Sequence, residues 1–239
     1  MSEIGLMKKA KRLVESMPLI GPLVRSMAVL LRRILFPGTQ EYWESRYVAG
    51  GTSGAGSYGK WAEFKAQVVN SFVRDYKIPS VIEFGCGDGN QLSLADYPSY
   101  IGLEVSNTAI KLCKERFKND ETKRFFFYEP DCFVDKGSVF KAELALSLDV
   151  IYHLVEDRTF ELYMNHLFSA AKKFVIIYST DTDINRSFQA PHVKHHNFSE
   201  WVKKNLPEWN LLRKIPNECP FEVDNQRQLC ADFFIYEKL

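Results

Sequence analysis

An apolar run, Val81-Ile82-Glu83-Phe84, breaks into glycines at alternate positions, Gly85, Gly87 and Gly89, and a helix-compatible stretch follows. A strand that runs into such a turn brings backbone N–H groups up to a ligand. The glycines leave room for close backbone approach and permit positive φ. The pattern constrains the chain to an open α/β sheet, with the ligand beyond the carboxyl ends of the strands. Glu83 stands two residues before the first glycine. A carboxylate there repels a phosphate and suits a ligand with a cationic or hydroxyl-bearing end.

The other sheet elements can be read in order. Lys60 to Tyr76 carries Trp61, Phe64, Val68, Phe72 and Val73 at helical spacing, and Pro79 stops it. Tyr100 to Ser106 reads as the second strand, and Ser106 or Asn107 can cap the helix that runs to about Phe117. Glu104 falls at that strand's tip, 15 residues beyond Gly89. Its two oxygens can accept from both hydroxyls of a ribose. Arg124 to Tyr128 is the third strand, Leu144 to Leu148 a buried central strand, and Lys173 to Tyr178 the fifth. Asp149 lies at the carboxyl end of the fourth. A short helix begins near Phe198 or Ser199, and Asn210 to Ile215 with Leu229 to Tyr236 read as a closing hairpin. The whole is one helix, five strand–helix units and two final strands. At 239 residues the chain has room for one such domain with an extension.

Residues 1–38 form that extension, with seven basic residues against Glu3 and Glu15 among apolar ones, interrupted by Pro18, Pro22 and Pro37. It is a poor spanning helix, since about 20 apolar residues are needed. Two readings stay open. The segment is a helical arm that packs on the domain or on a second copy, or a basic amphipathic anchor on an anionic membrane face. The net charge of +1 gives no reason to expect nucleic acid as the main partner. The five cysteines form no C-x-x-C pair, which points to a reducing, cytoplasmic setting, with peripheral contact at the inner membrane face if the anchor reading holds.

The spaced motifs carry a resemblance. Glu83-Phe-Gly85-Cys-Gly87-Asp-Gly89 resembles the first motif of class I S-adenosylmethionine-dependent methyltransferases, whereas the dinucleotide fingerprint places its third glycine one residue later. Gly102-x-Glu104-x-Ser106 is similar to the family's second strand, and Ser147 to Leu154 resembles the fourth-strand region of many bacterial members. Tyr42-Trp43-x-x-Arg46-Tyr47, followed by the Gly50–Gly59 loop, is similar to the helix many small-molecule methyltransferases lay over their cofactor; an ordinary linker would also fit.

The resemblance covers roughly residues 41–239, and a domain is expected over 39–239. It implies a Rossmann-like, doubly wound, seven-stranded sheet with an antiparallel last strand. It implies S-adenosyl-L-methionine as cofactor and a small-molecule or glycan acceptor, with O-methylation expected. It places Trp43, Arg46, Tyr47, Glu83, Gly85, Cys86, Gly87, Gly89, Glu104, Val105, Asp131, Cys132, Leu148 and Asp149 around the cofactor. Asp131 would meet the adenine amine, with Glu129 as a rival, and the Cys132 N–H a ring nitrogen.

An oxygen acceptor would lose a proton as it attacks, and His153, His195 and His196 are the candidate bases, since an unperturbed histidine titrates near ~6.5. His192, His195 and His196 lack a matching carboxylate or cysteine spacing, so no metal is expected and the loop reads as substrate-binding. A nicotinamide-dependent oxidoreductase and a non-catalytic cofactor-binding scaffold remain the rival readings.

Overall fold

The computed structural model describes residues 35–186, 189–217, 222–223, 226–227 and 231–239. The two readings of residues 1–38 fall almost wholly outside them. Among the described residues no helix is long and apolar enough to cross a membrane.

The elements are α1 (Thr39–Val48), α2 (Gly59–Asp75), β1 (Val81–Phe84), β2 (Tyr100–Glu104), α3 (Asn107–Arg116), β3 (Lys123–Phe127), β4 (Ala142–Leu148), α4 (Asp157–Ala170), β5 (Ala171–Ser179), α5 (Phe198–Asn205), β6 (Trp209–Ile215) and β9 (Asp232–Lys238). A small ribbon, β7 (Glu222–Val223) with β8 (Gln226–Arg227), sits between the last two. Seven strands form one sheet in the order β3-β2-β1-β4-β5-β9-β6. All neighbours are parallel except β9, which inserts antiparallel between β5 and β6. The expected antiparallel final strand and its pairing with β6 are both present.

Alternation along the strands explains the two cores. Leu144, Leu146 and Leu148 pack on one face with Val69, Phe72 and Val73 of α2 and Ile110 of α3. Ala145 faces the other side, with Phe160, Met164 and Leu167 of α4 and Val202 of α5. Each fully buried large apolar side chain contributes about 1.5–3 kcal/mol. Right-handed crossovers require this arrangement: the chain winds from β1 towards β3, then returns to wind from β4 towards β5, so the helices land on opposite faces. β1 pairs with both β2 and β4, and the winding reverses there. Ligands of doubly wound sheets bind at such a reversal.

Two connections differ from the expected strand–helix units. Residues 90–99 hold only the 3₁₀ turn Leu92–Leu94, because Pro98 and the nearby start of β2 leave too little chain for a helix. The β3–β4 connection likewise carries no helix among its described residues. Ser106 caps α3 by accepting from the Ala109 N–H at 3.0 Å. α5 is capped one residue earlier than its sequence indicates, by the Asn197 side chain on the Glu200 N–H.

Candidate active site

Two cavities lie side by side beyond the carboxyl ends of β1, β2 and β4. The first has a volume of about 570 Å³ and the second about 330 Å³. Trp43, Ser53, Asp149 and His153 belong to the walls of both.

The glycine turn forms the floor of the first. Gly85 has φ 84°, and a Cβ there would lie 2.5 Å from Cγ2 of Val150. Gly87 has φ 58°, and its Cβ would meet the Ser53 Oγ at 2.3 Å. Side chains are excluded at both positions by conformation and by space. Gly87 also donates its N–H to the Glu104 carboxylate at 2.9 Å, and the Ser106 N–H donates to the other oxygen at 3.0 Å. Burial pushes the Glu104 carboxyl up to about 7, against these two bonds. Glu83 accepts from the Tyr100 hydroxyl at 2.5 Å, and burial raises it to about 7 as well.

α1 covers this floor and is tied at both ends. Glu44 accepts from the Ser106 hydroxyl at 2.5 Å and the Thr108 N–H at 3.2 Å, at the start of α3. The Ser106 bond is the largest cause holding the Glu44 carboxyl below its ordinary range. Thr39 donates its N–H and hydroxyl to Glu156 at 3.0 and 2.7 Å. The loop after α1 is pinned to the glycine turn: the Ser53 N–H and the Tyr58 hydroxyl both donate to Asp88, at 3.0 and 2.8 Å.

Asp149 occupies the partition between the cavities, in a left-handed conformation with φ 62°. Lys65 of α2, whose side chain is 0% exposed, reaches it at 2.5 Å, and the Tyr152 hydroxyl donates to its second oxygen at 2.8 Å. Lys65 and Gln91 line the first cavity, and neither is singled out by motif. The signal for Lys65 was periodic: it stands on the apolar stripe of Ala62, Val69, Phe72 and Val73, where a lone charge has to find a partner. The Gln91 side chain donates to the Ala62 carbonyl at 3.0 Å, but its Oε1 is buried without a hydrogen-bond partner.

The histidines separate. His153 lines both cavities. Its Nδ1 lies 2.9 Å from the His192 carbonyl, which can only accept, so Nδ1 carries the proton and Nε2 the lone pair. Burial lowers its pKa to about 4. His195 lines only the second cavity and bonds Thr180 through Nδ1 at 2.7 Å. His196 stands away from both: its ring stacks on Phe160 at 4.1 Å, and its Nε2–H is held by the Leu154 carbonyl at 2.8 Å. It is a satisfied core residue, anchored because α4 and the His loop pack there.

Of the other expected residues, Trp43, Tyr47, Glu83, Gly85, Cys86, Gly87, Glu104, Val105, Asp131, Leu148 and Asp149 line the first cavity. Arg46 lines the second. Gly89 lines neither; its missing Cβ instead spares Phe117, whose ring would be 2.9 Å away. Cys132 also lines neither cavity, and its N–H closes a turn on the Glu129 carbonyl at 3.1 Å. The Asp131 carboxylate, 57% exposed, pairs with Arg158, while Glu129 lines the cavity beside it.

No family profile matches this chain, and no curated protein matches it in sequence. Solved structures do match it in three dimensions. N-methyltransferase NodS from Bradyrhizobium japonicum WM9, in complex with S-adenosyl-L-homocysteine, superposes with a TM-score of 0.66 at 13% identity, covering 84% of this chain and 98% of that one. The methyltransferase domain of bacterial CtHen1 superposes at 0.56 and 20% identity, over 73% of this chain and 96% of that one. Magnesium protoporphyrin IX methyltransferase from Synechocystis PCC 6803 superposes at 0.55 and 14% identity, over 74% and 83%. The chain has the class I methyltransferase fold.

Proposed function

We propose that the first cavity binds S-adenosyl-L-methionine and that the protein is a methyltransferase acting on an oxygen of a small-molecule or glycan acceptor. The observation that carries this is the polar inventory of one cavity at the winding reversal. Glu104, at the tip of β2, is placed for a ribose diol. At the other end, the orphaned Oε1 of Gln91 and the Glu83 carboxylate suit an α-ammonium, and the buried Lys65 ammonium suits an α-carboxylate. Glu129 and Asp131 at the mouth fit an exocyclic amine. The structural neighbours that carry S-adenosylhomocysteine support the same assignment.

A dinucleotide fits less well. Its pyrophosphate needs a helix N-terminus, and β1 leads here into a 3₁₀ turn beside Glu83, Asp88 and Glu104. When bound, the cofactor supplies an electrophilic methyl on a sulfonium that is its own leaving group. The residues' task is to hold acceptor and methyl in line, which can contribute on the order of 7–11 kcal/mol. His153, on the shared wall, offers Nε2 to the acceptor.

Calorimetric titration with S-adenosylmethionine, S-adenosylhomocysteine and NAD tests the reading. Micromolar binding of both sulfur compounds and none of NAD is expected. Binding of NAD alone would overturn it.

A further inference from the structure

Resting on that reading, we infer that the second cavity is the acceptor site and that its acceptor is a compact hydroxylated aromatic ring, a phenol rather than a sugar. Seven of its lining residues carry rings: Trp43, Trp61, Tyr152, His153, Tyr178, His192 and His195. Its volume of about 330 Å³ suits a single substituted ring. His153 presents its ring to the Trp43 edge at 5.0 Å and stacks near His192 at 5.4 Å, so ring faces and edges line the chamber where it meets the first cavity. Aromatic surfaces of this kind favour a planar guest.

The polar groups of the chamber argue against a sugar. A sugar needs several convergent donors and acceptors for its hydroxyls. Here they bond one another: Tyr152 to Asp149, Asn217 to the Tyr178 oxygen at 2.9 Å, Thr180 to His195, and the Arg46 Nε–H to the Thr52 carbonyl at 2.6 Å. Charge argues against a cationic amine. Asp149 is neutralised by Lys65, so Arg46 leaves the chamber with a net positive field.

The histidine points the same way. In the transfer the acceptor oxygen bonds to the methyl carbon as the carbon–sulfur bond breaks with its pair on sulfur. The hydroxyl proton goes to Nε2 of His153 and from there to water. With its basicity lowered by burial to about 4, His153 is a weak base. It is better matched to a phenol, near ~10 like a tyrosine, than to an aliphatic hydroxyl, about as weak an acid as water at ~15.7.

The test uses the full chain and its Trp61→Ala variant, since Trp61 lines the second cavity and not the first. S-adenosylhomocysteine is titrated alone, then, with it saturating, catechol, methyl α-D-glucopyranoside and choline in parallel. We expect catechol to bind the wild type, Trp61→Ala to weaken catechol by at least about tenfold, or about 1.4 kcal/mol, and homocysteine-compound binding to stay within about twofold because the first cavity is untouched. Binding of the glucoside or choline in place of catechol, or of none of the three while S-adenosylhomocysteine binds, overturns the phenol assignment and leaves the proposed function standing. Catechol binding that Trp61→Ala leaves unchanged overturns the location. Failure of S-adenosylhomocysteine itself removes the functional reading and this one with it.

Discussion

The two cavities share a wall and are built by different means. The first is made largely from backbone: a glycine turn, strand tips and N–H groups that hold Glu104 in place. The second is made from side chains, delivered by α1, the loop after it, the start of α2, the end of β4 and the His loop. A backbone site tolerates almost no change at its glycines, because positive φ and missing Cβ atoms are not replaceable. A side-chain site can be recut one ring at a time on an unchanged frame. This is how one fold serves unrelated acceptors, as the N-methyltransferase and the porphyrin methyltransferase among its structural neighbours illustrate.

The sharpest way to break the comparison is Gly87→Val. The added side chain would drive into Ser53 Oγ and force a β-branched residue to φ 58°. Affinity for S-adenosylhomocysteine should fall by at least about 100-fold, while circular dichroism shows a folded chain. An affinity within threefold of wild type would mean that the turn does not hold the ligand.

Next comes the partition. Lys65→Met leaves Asp149 without its cation, and removing one partner of a buried pair costs roughly 3–5 kcal/mol. Thermal unfolding should shift down by roughly 10 °C. Lys65→Met with Asp149→Asn should recover part of the loss, asparagine being tolerant of the left-handed conformation. An unchanged transition for Lys65→Met would show that water reaches the pair.

The smallest effect is on pH. Glu83 and Glu104 both titrate near 7 in the empty site, above their ordinary value of 4.5, because burial disfavours the charged form. Folding therefore favours their protonated forms. That contribution is fully present below about 4.5 and is lost as pH rises through about 7. Ligand binding has the opposite sign, because an ammonium and a diol prefer ionised carboxylates. Affinity for S-adenosylhomocysteine should rise by up to about tenfold from pH 6 to 8, and Glu104→Gln should flatten the rise. A flat wild-type profile would show that neither carboxylate meets the ligand.

Local chemistry made the first cavity readable. Val81 to Gly89, Glu104 and Asp149 announce a strand, a turn and two strand tips by residue type and spacing alone, and the fold places all three together. Where residue type admitted two environments, the sequence could not choose. His153 and His196 look alike in a chain; one faces the cavities and the other stacks on Phe160 because α4 lies behind it. Cys132 follows the third strand as expected, yet its N–H is taken by a local turn.

The sequence by itself therefore determined the winding of the sheet, its antiparallel closing strand and the glycine floor, since each follows from short-range periodicity and backbone permission. Only the tertiary structure decided that Lys65 neutralises Asp149, that Glu44 ties α1 to α3, and that rings from distant segments enclose a second chamber. Those are meetings between residues far apart in the chain, fixed by how the packed helices and loops bring them together.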